Sequence, residues 1–318
     1  MKGEYRKQPT AEILVGPAGW SYPDWRGVVY PPPSRAGSHE LEFVSRYFDT
    51  VEINTSFYRP LRPEIARVWL RKIAPNPRFR FTAKLLGRFT HERDAGRAEE
   101  TACKEGFAPL HEAGKLGALL FQFPWSFRNS AEDRDYLAGL ITKFSEYPLV
   151  VEVRHASWNV PETLAFLQER GVGFCNIDQP QFGSSTSGRS MPATAKVTAP
   201  VGYVRLHGRN YDNWFADNAE TGQRYDYLYT PDELREWQRR IASVAARSEA
   251  TYVILNNHYQ GKAVVNALQL ASMIRKAPVP VPESLLEPYP ELAEYSSTPV
   301  AQARLFAPLR TVGRQRGY

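Results

Sequence analysis

Eight short apolar runs, each followed by a longer polar or amphipathic stretch, set the tightest limit on how this chain can fold. The runs cover residues 13–16, 50–54, 79–84, 118–123, 149–154, 172–178, 201–207 and 252–256. Most are apolar throughout and do not alternate, as expected of strands covered on both faces. Segments of helical spacing lie between them. Leu41, Val44 and Phe48 share a face, as do Ile65, Val68, Trp69 and Ile73, and later Leu234, Trp237, Ile241 and Val244. Thr230-Pro231-Asp232-Glu233 reads as a helix start, with a capping hydroxyl and proline at the first helical position. Gly171 follows residues 163–170 where a C-terminal cap glycine belongs. Strands alternating with helices build a parallel sheet, and eight such units can close it. The expected fold is α/β, a (β/α)8 TIM barrel.

One unit is irregular. Between Asp178 and Val201 no amphipathic helix can be drawn, only a polar loop (179–189) and a short segment around 195–197. The seventh connection, 208–229, is also long and is rich in aromatic and polar residues. Both would overhang the C-terminal face of a barrel, either as a lid or as packing over its mouth. After Lys276 proline becomes dense, which forbids a long helix and favours an extended strap or tail. The chain thus divides into an N-terminal arm (1–12), the barrel (13–276) and a Pro-rich C-terminal extension (277–318).

The 318 residues are 42% hydrophobic, enough for one sizeable core. No apolar run approaches the roughly 20 residues of a membrane helix, so no membrane partner is expected. The first residues lack the apolar segment of a signal peptide, and Cys103 and Cys175 alone make neither a disulfide framework nor a zinc set. A reducing cytoplasm suits such a chain. Its net charge of +6 attracts polyanions, keeping nucleic acid among the candidate partners. The arginines, however, are spread over the whole chain, as on an ordinary solvated surface.

The strand ends carry the chemistry. Side chains alternate along a strand, so Glu52 with Asn54, Glu152 with Arg154, and Arg205 with His207 each share a side. Lys84, Gln122, Asp178 and Asn256 end other apolar runs. A charge buried alone costs several kcal/mol, so these groups must pair, bind ligand or sit at a wet mouth. Pairing would make Glu52–Lys84 and Glu152 with Arg154 or Arg205 a neutralising network. A functional division of labour gives Arg154, Arg205 and Lys84 to a phosphate or carboxylate. Glu52 or Glu152 then acts as general base, with His207 or Asp178 handling the complementary proton. Trp20, Tyr22, Trp25, Tyr58 and Trp214 would wall the pocket, suiting a sugar face or a nucleobase. His91 follows a strand-end loop and joins the binding candidates, and His258 lies just past the last run. His39 and His111 fall in helical stretches at the surface.

No cofactor is required by these residues. A divalent cation is the alternative, held by Glu152, His155, Asp178 and His207. Against it stand the amides Gln122 and Asn256 where carboxylates would strengthen the set, the repelling Arg154 and Arg205, and the opposite parity of His155. There is no Walker loop and no glycine-rich dinucleotide fingerprint. The stretch 257–262 precedes the last helix, whose N-terminus offers an anion site, or Gly261 serves only a turn.

Several segments together resemble the YecE-like family, domain of unknown function 72. They are the stretch Gly19-Trp20-Ser21-Tyr22-Pro23-Asp24-Trp25-Arg26-Gly27, then 50–59 (TVEINTSFYR), Phe81-Thr82-Ala83-Lys84, Phe89-Thr90-His91 and Phe121-Gln122-Phe123-Pro124. Val151-Glu152-Val153-Arg154-His155, Val204-Arg205-Leu206-His207-Gly208 and Asn256-Asn257 complete the series. The resemblance spans roughly residues 13 to 275 and implies a TIM barrel related in fold to sugar isomerases; it implies no reaction. Gly16-Pro17-Ala18 departs from it, standing where a Thr-Ser pair precedes Gly-Trp and removing two hydroxyls. The leading expectation is an enzyme using acid–base chemistry on a small anionic or polyol substrate of phosphosugar type. The alternatives are a nucleic-acid-binding or phosphodiester-cleaving barrel similar to endonuclease IV, and a non-catalytic module recruiting a partner through its Pro-rich tail.

Overall fold

Every apolar run folds as a strand in the computed structural model of the chain, which describes residues 11–31, 39–181, 190–212, 214 and 222–297. In chain order the strands are β1 (Glu12–Pro17), β2 (Thr50–Ile53), β3 (Arg80–Lys84), β4 (Leu116–Gln122), β5 (Leu149–Glu152), β6 (Gly173–Asp178), β7 (Val201–Leu206) and β8 (Ala250–Leu255). The helices are α1 (Glu40–Val44), α2 (Pro63–Ile73), α3 (Arg97–Glu112), α4 (Ala131–Lys143), α5 (Pro161–Glu169), α6 (Pro231–Ala245) and α7 (Lys262–Arg275). All strand pairs are parallel, in the order β1-β8-β7-β6-β5-β4-β3-β2. The ring closes between β1 and β2, where Ala18 bridges to Glu52 and Gly19 N–H donates to the Glu52 carbonyl at 2.9 Å. Closure demands glycine in β1, because a Cβ on Gly16 would lie 1.9 Å from the Thr50 carbonyl oxygen. The chain is therefore an α/β (β/α)8 barrel.

Local signals act as the sequence suggests. Thr230 caps α6 in a reciprocal box, its hydroxyl accepting from Glu233 N–H while the Glu233 carboxylate accepts from Thr230 N–H at 2.9 Å. Gly171 ends α5 with φ of +63°, the left-handed value its missing Cβ permits. The sixth unit is irregular as expected: among the described residues between β6 and β7 no helix forms. Residues 182–189 of that loop, the arm residues 1–10 and the chain after residue 297 lie outside the described residues, as do 213 and 215–221 of the seventh connection.

After α7 the chain forms short 3-10 turns, Glu283–Leu285 and Pro290–Tyr295, and lays itself against the barrel. Val279, Val281, Leu285, Tyr289 and Leu292 are buried there. Ser284 Oγ donates to the Val29 carbonyl and Tyr289 OH to that of Gln260. Among the described residues no helix is long and apolar enough to cross a membrane.

Register fixes which side chains enter the barrel. Cys175 pairs with Tyr203, Ile177 with Arg205, Gln122 with Glu152 and Thr82 with Glu52, so these residues share the inner face. Asn176 and Asp178 pair with Val204 and Leu206 and point outward to the helix layer.

Candidate functional site

Arg205, near the end of β7, lies at the centre of a wholly buried ionic network. Its Nη2 donates to Glu52 Oε1 at 2.8 Å and its Nη1 to Glu152 Oε2 at 2.5 Å, and all three side chains are 0% exposed. Tyr203 OH lies 3.0 Å from Glu52 Oε2 and 2.8 Å from Thr82 Oγ1. A carboxylate only accepts, so the tyrosine proton serves Glu52 and the threonine donates. Cys175 Sγ sits 3.8 Å from Glu152 Oε2. Burial alone would raise Glu152, but Arg205, then His207 and Arg154, outweigh it and hold the carboxyl well below its ordinary range. The expected Glu52–Lys84 pair does not form; Arg205 takes both carboxylates instead.

His207, just beyond β7, is buried beside this network. Asn256 Nδ2 lies 3.0 Å from its Nδ1, and an amide N–H can only donate, which assigns the ring proton to Nε2. That nitrogen is 3.3 Å from Glu152 Oε1. Burial pulls the imidazole down to about 3, against the attraction of Glu152, so it stays neutral.

Arg154 joins the sealed floor to the mouth. Its Nε donates to Glu152 Oε1 at 3.0 Å while its side chain keeps 17% exposure. It lines a cavity of about 320 Å³ together with His91, Trp125, Gln179, Trp214 and Arg224. Trp214 meets His207 edge-on with centroids 6.3 Å apart. Lys84 ends β3 on the inner face of the barrel, its Nζ 5.7 Å from the centre of the Phe57 ring, and His91 packs edge-on against that same ring at 4.9 Å. Burial, then Arg205, pushes the amine down to about 8 despite Glu52 and Glu152. Burial and then Arg154 lower His91. Glu52 and Glu152 balance Arg205 and Arg154, so Lys84 is positive charge in excess of the floor.

The structure thus gathers Glu52, Glu152, Arg205, His207, Asn256, Arg154, Lys84, Gln122 and His91 at one end of the barrel. Other candidates fall elsewhere. Asp178 faces outward and is chelated by Arg209, whose Nε and Nη2 donate to its carboxylate at 2.9–3.2 Å, with Tyr229 OH donating at 2.7 Å. Its parity differs from that of Cys175, which removes it from any acid–base role inside the barrel. Trp20 packs against Trp69 of α2 and Phe81, in the helix layer. The turn at Gly19, φ +80°, carries it there. Trp25 is buried with its indole N–H donating to the His258 carbonyl. Tyr22 stacks on His258 at 4.3 Å and its hydroxyl accepts from Asn54 Nδ2 at 3.3 Å. Tyr58 stands at the rim, 80% exposed. The aromatic wall is therefore Trp125 and Trp214, of which only Trp214 is foreseen from sequence.

The four metal candidates do not converge. Glu152 and His207 adjoin, but Asp178 is held by Arg209 and His155 caps the turn Ala156–Trp158, its Nδ1 accepting from Ser157 N–H. Among the described residues no three His, Cys, Asp or Glu side chains are placed to share a cation. Cys175, Tyr203 and Thr82 were missed as members of the network, although all three sit two residues from a charged strand position or its register partner. Trp125 and Gln179 lie in loops and Arg224 in the 3-10 turn Gln223–Tyr225, where periodicity carries no signal.

Comparison with known proteins agrees with this architecture. The model of a family described as "Protein of unknown function DUF72" matches residues 14–290. The UPF0759 protein YunF of Bacillus subtilis is 28% identical over 276 residues, covering 82% of this chain and 94% of that protein. UPF0759 protein YecE of Escherichia coli K12 is 26% identical over 251 residues, covering 69% and 87%. Among solved structures, a DUF72 family protein from Thermotoga maritima is 34% identical with a TM-score of 0.72, covering 83% of this chain and 99% of the other. One from Enterococcus faecalis is 27% identical with a TM-score of 0.71, covering 83% and 95%. On the match across residues 14–290 and the barrel it shares with those structures, this chain belongs to the DUF72 family.

Proposed function

We propose that this barrel is an enzyme that binds a small anionic substrate, of phosphosugar type, in the mouth and works on it by acid–base chemistry. The observation that carries this reading is the excess positive charge of the mouth. Arg154 and Arg224 line a cavity walled by Trp125 and Trp214, above carboxylates already neutralised by guanidinium, and Lys84 ends β3 on the inner face of the same barrel end. Guanidinium suits phosphate or carboxylate, and indole faces suit the C–H surface of a sugar. Glu52 and Glu152, sealed and paired, hold Arg205 and Arg154 in position. The titratable groups left to meet a substrate are Lys84 and His91; burial lowers both, the amine to about 8.

Thermal unfolding tests this. Ribose 5-phosphate should stabilise the wild type, by about 2.7 kcal/mol at a hundredfold excess over Kd, whereas ribose should not. Arg154→Ala should lose the shift while keeping its fold. A shift that survives in Arg154→Ala, or one given equally by ribose, refutes the reading.

A nucleic acid is the second reading, favoured by the exposed rim tyrosines Tyr58 and Tyr211 after β2 and β7. It requires binding that weakens steeply with salt; no complex with single- or double-stranded DNA or RNA at low salt removes it.

A further inference from the structure

Ten lysines stand against thirty arginines in this chain, so arginine is its habitual cation. Lys72, Lys104, Lys143 and Lys262 each hold a carboxylate. Lys84, like Lys115, Lys196 and Lys276, makes no ion pair among the described residues, and its neighbouring carboxylates Glu52 and Glu152 are taken by Arg205. It is also the lysine on the inner face of the barrel, at the open end of β3. Were its task only to attract an anion, a third guanidinium beside Arg154 and Arg205 would do it with better geometry and a permanent charge. What a lysine adds is an amine that can exist neutral and act as a nucleophile.

We propose that Lys84 condenses with the carbonyl group of a small aldehyde or ketone that carries a phosphate or carboxylate, forming an imine in the barrel mouth. This rests on the anion-site reading above and narrows its substrate class. The lone pair of neutral Nζ attacks the carbonyl carbon and the C=O π pair moves to oxygen. A proton passes from nitrogen to oxygen to give the carbinolamine. Protonation of that hydroxyl lets it leave as water while the C=N bond forms as an iminium, which returns the proton to the acid that gave it, so amine and carbonyl yield imine and one water with no oxidant or reductant. Three features serve these steps. Arg154 anchors the anionic group beside the amine, and the Phe57 ring supports Nζ from an apolar side without trapping it in an ion pair. His91, packed on that same ring and lining the cavity, offers an imidazole for the proton transfers. The charged groups acting on Nζ are Arg205 and Arg154, which favour the neutral amine, and Glu52 and Glu152, which oppose them.

Borohydride trapping tests the proposal on the full-length protein. Glycolaldehyde phosphate or glyoxylate is added at pH near 7.5, sodium borohydride reduces any imine to a stable secondary amine, and peptide mass mapping locates the adduct. With the amine at about 8 against ~10.4 for an ordinary lysine, its neutral fraction is on the order of a hundredfold higher. Labelling should therefore concentrate on Lys84 by a comparable factor over the surface lysines. Lys84→Arg should abolish the main adduct while keeping the phosphate-induced thermal shift, which also shows that the variant folds. Excess inorganic phosphate should suppress labelling of Lys84. No adduct, or adducts spread evenly over the lysines, overturns the proposal even where the thermal shift by phosphosugar persists. Labelling of Lys84 that phosphate does not suppress upholds the amine chemistry and refutes the anion site beside it.

Discussion

Arg205 and Arg209 lie four residues apart on one stretch of chain, and each holds carboxylates, yet they serve opposite sides of the sheet. Arg205 points into the barrel, is 0% exposed and divides itself between Glu52 and Glu152. Arg209, 25% exposed, grips Asp178 and Glu233 in the helix layer. Glu52, Glu152 and Arg205 are all fully buried, so the charges of the first cluster must be satisfied within the protein. The second fastens the connection after β7 to the start of α6, where Glu233 also forms the capping box and accepts from Tyr227 OH. Similar chemistry builds the floor of the candidate site in one place and a clasp onto a helix in the other. What separates them is the side of the sheet, not the residue types.

That contrast can be broken by mutation. Arg205→Ala strands two buried carboxylates at once and should cost about 3–5 kcal/mol, the range for removing one partner of a buried ion pair. Chemical denaturation would read it. Combining Arg205→Met with Glu52→Gln and Glu152→Gln should recover much of the loss, since the charges needing a partner are gone. Arg209→Ala should cost less, about 1–3 kcal/mol, because Asp178 can take up a proton and keeps Tyr229 as donor. Equal losses from the two arginines would erase the distinction drawn between the clusters.

The two carboxylates also differ in the sign of their pH dependence. Glu152 titrates below its unfolded value, so it contributes stability above about 4.3 that is lost as the pH falls through its folded pKa. Asp178 is raised, burial outweighing its donors Arg209 and Tyr229, so its ionised form costs stability and acidification relieves that cost. Glu152→Gln should therefore flatten the acid limb of stability against pH, and Asp178→Asn should steepen it. Urea midpoints measured from pH 7 into the acid range decide this; matching slopes in the two variants would contradict it. Arg154→Ala should cost about 1–2 kcal/mol, because Glu152 keeps Arg205 as its partner, although it should remove anion binding.

The sequence made the barrel legible because its strands are short apolar runs bounded by polar segments, a pattern that survives without tertiary information. The charged positions of β2, β5 and β7 were legible for a related reason: an ionic residue inside an apolar run has few places to go. Asp178 misled because it shares parity with Asn176, and a polar pair at a strand end reads equally well as facing inward; only its register with β7 reveals the outward side. Trp20 misled because the turn at Gly19 reverses the expected direction. Pairing inside the barrel was beyond one-dimensional reading, since Arg205 meets Glu52 across 153 residues of chain. The Pro-rich segment was readable as lacking a long helix, but its 3-10 turns and the burial of Leu285 and Leu292 against the barrel were not.

The central claim is that a cationic mouth lies open above a floor whose carboxylates are already neutralised. A crystal structure determined in the presence of inorganic phosphate tests it most directly. The account predicts tetrahedral density contacted by Arg154 and Lys84, with Arg205 still bridging Glu52 and Glu152. Phosphate seated elsewhere, or a mouth holding only water with Lys84 bound to either carboxylate, would contradict it.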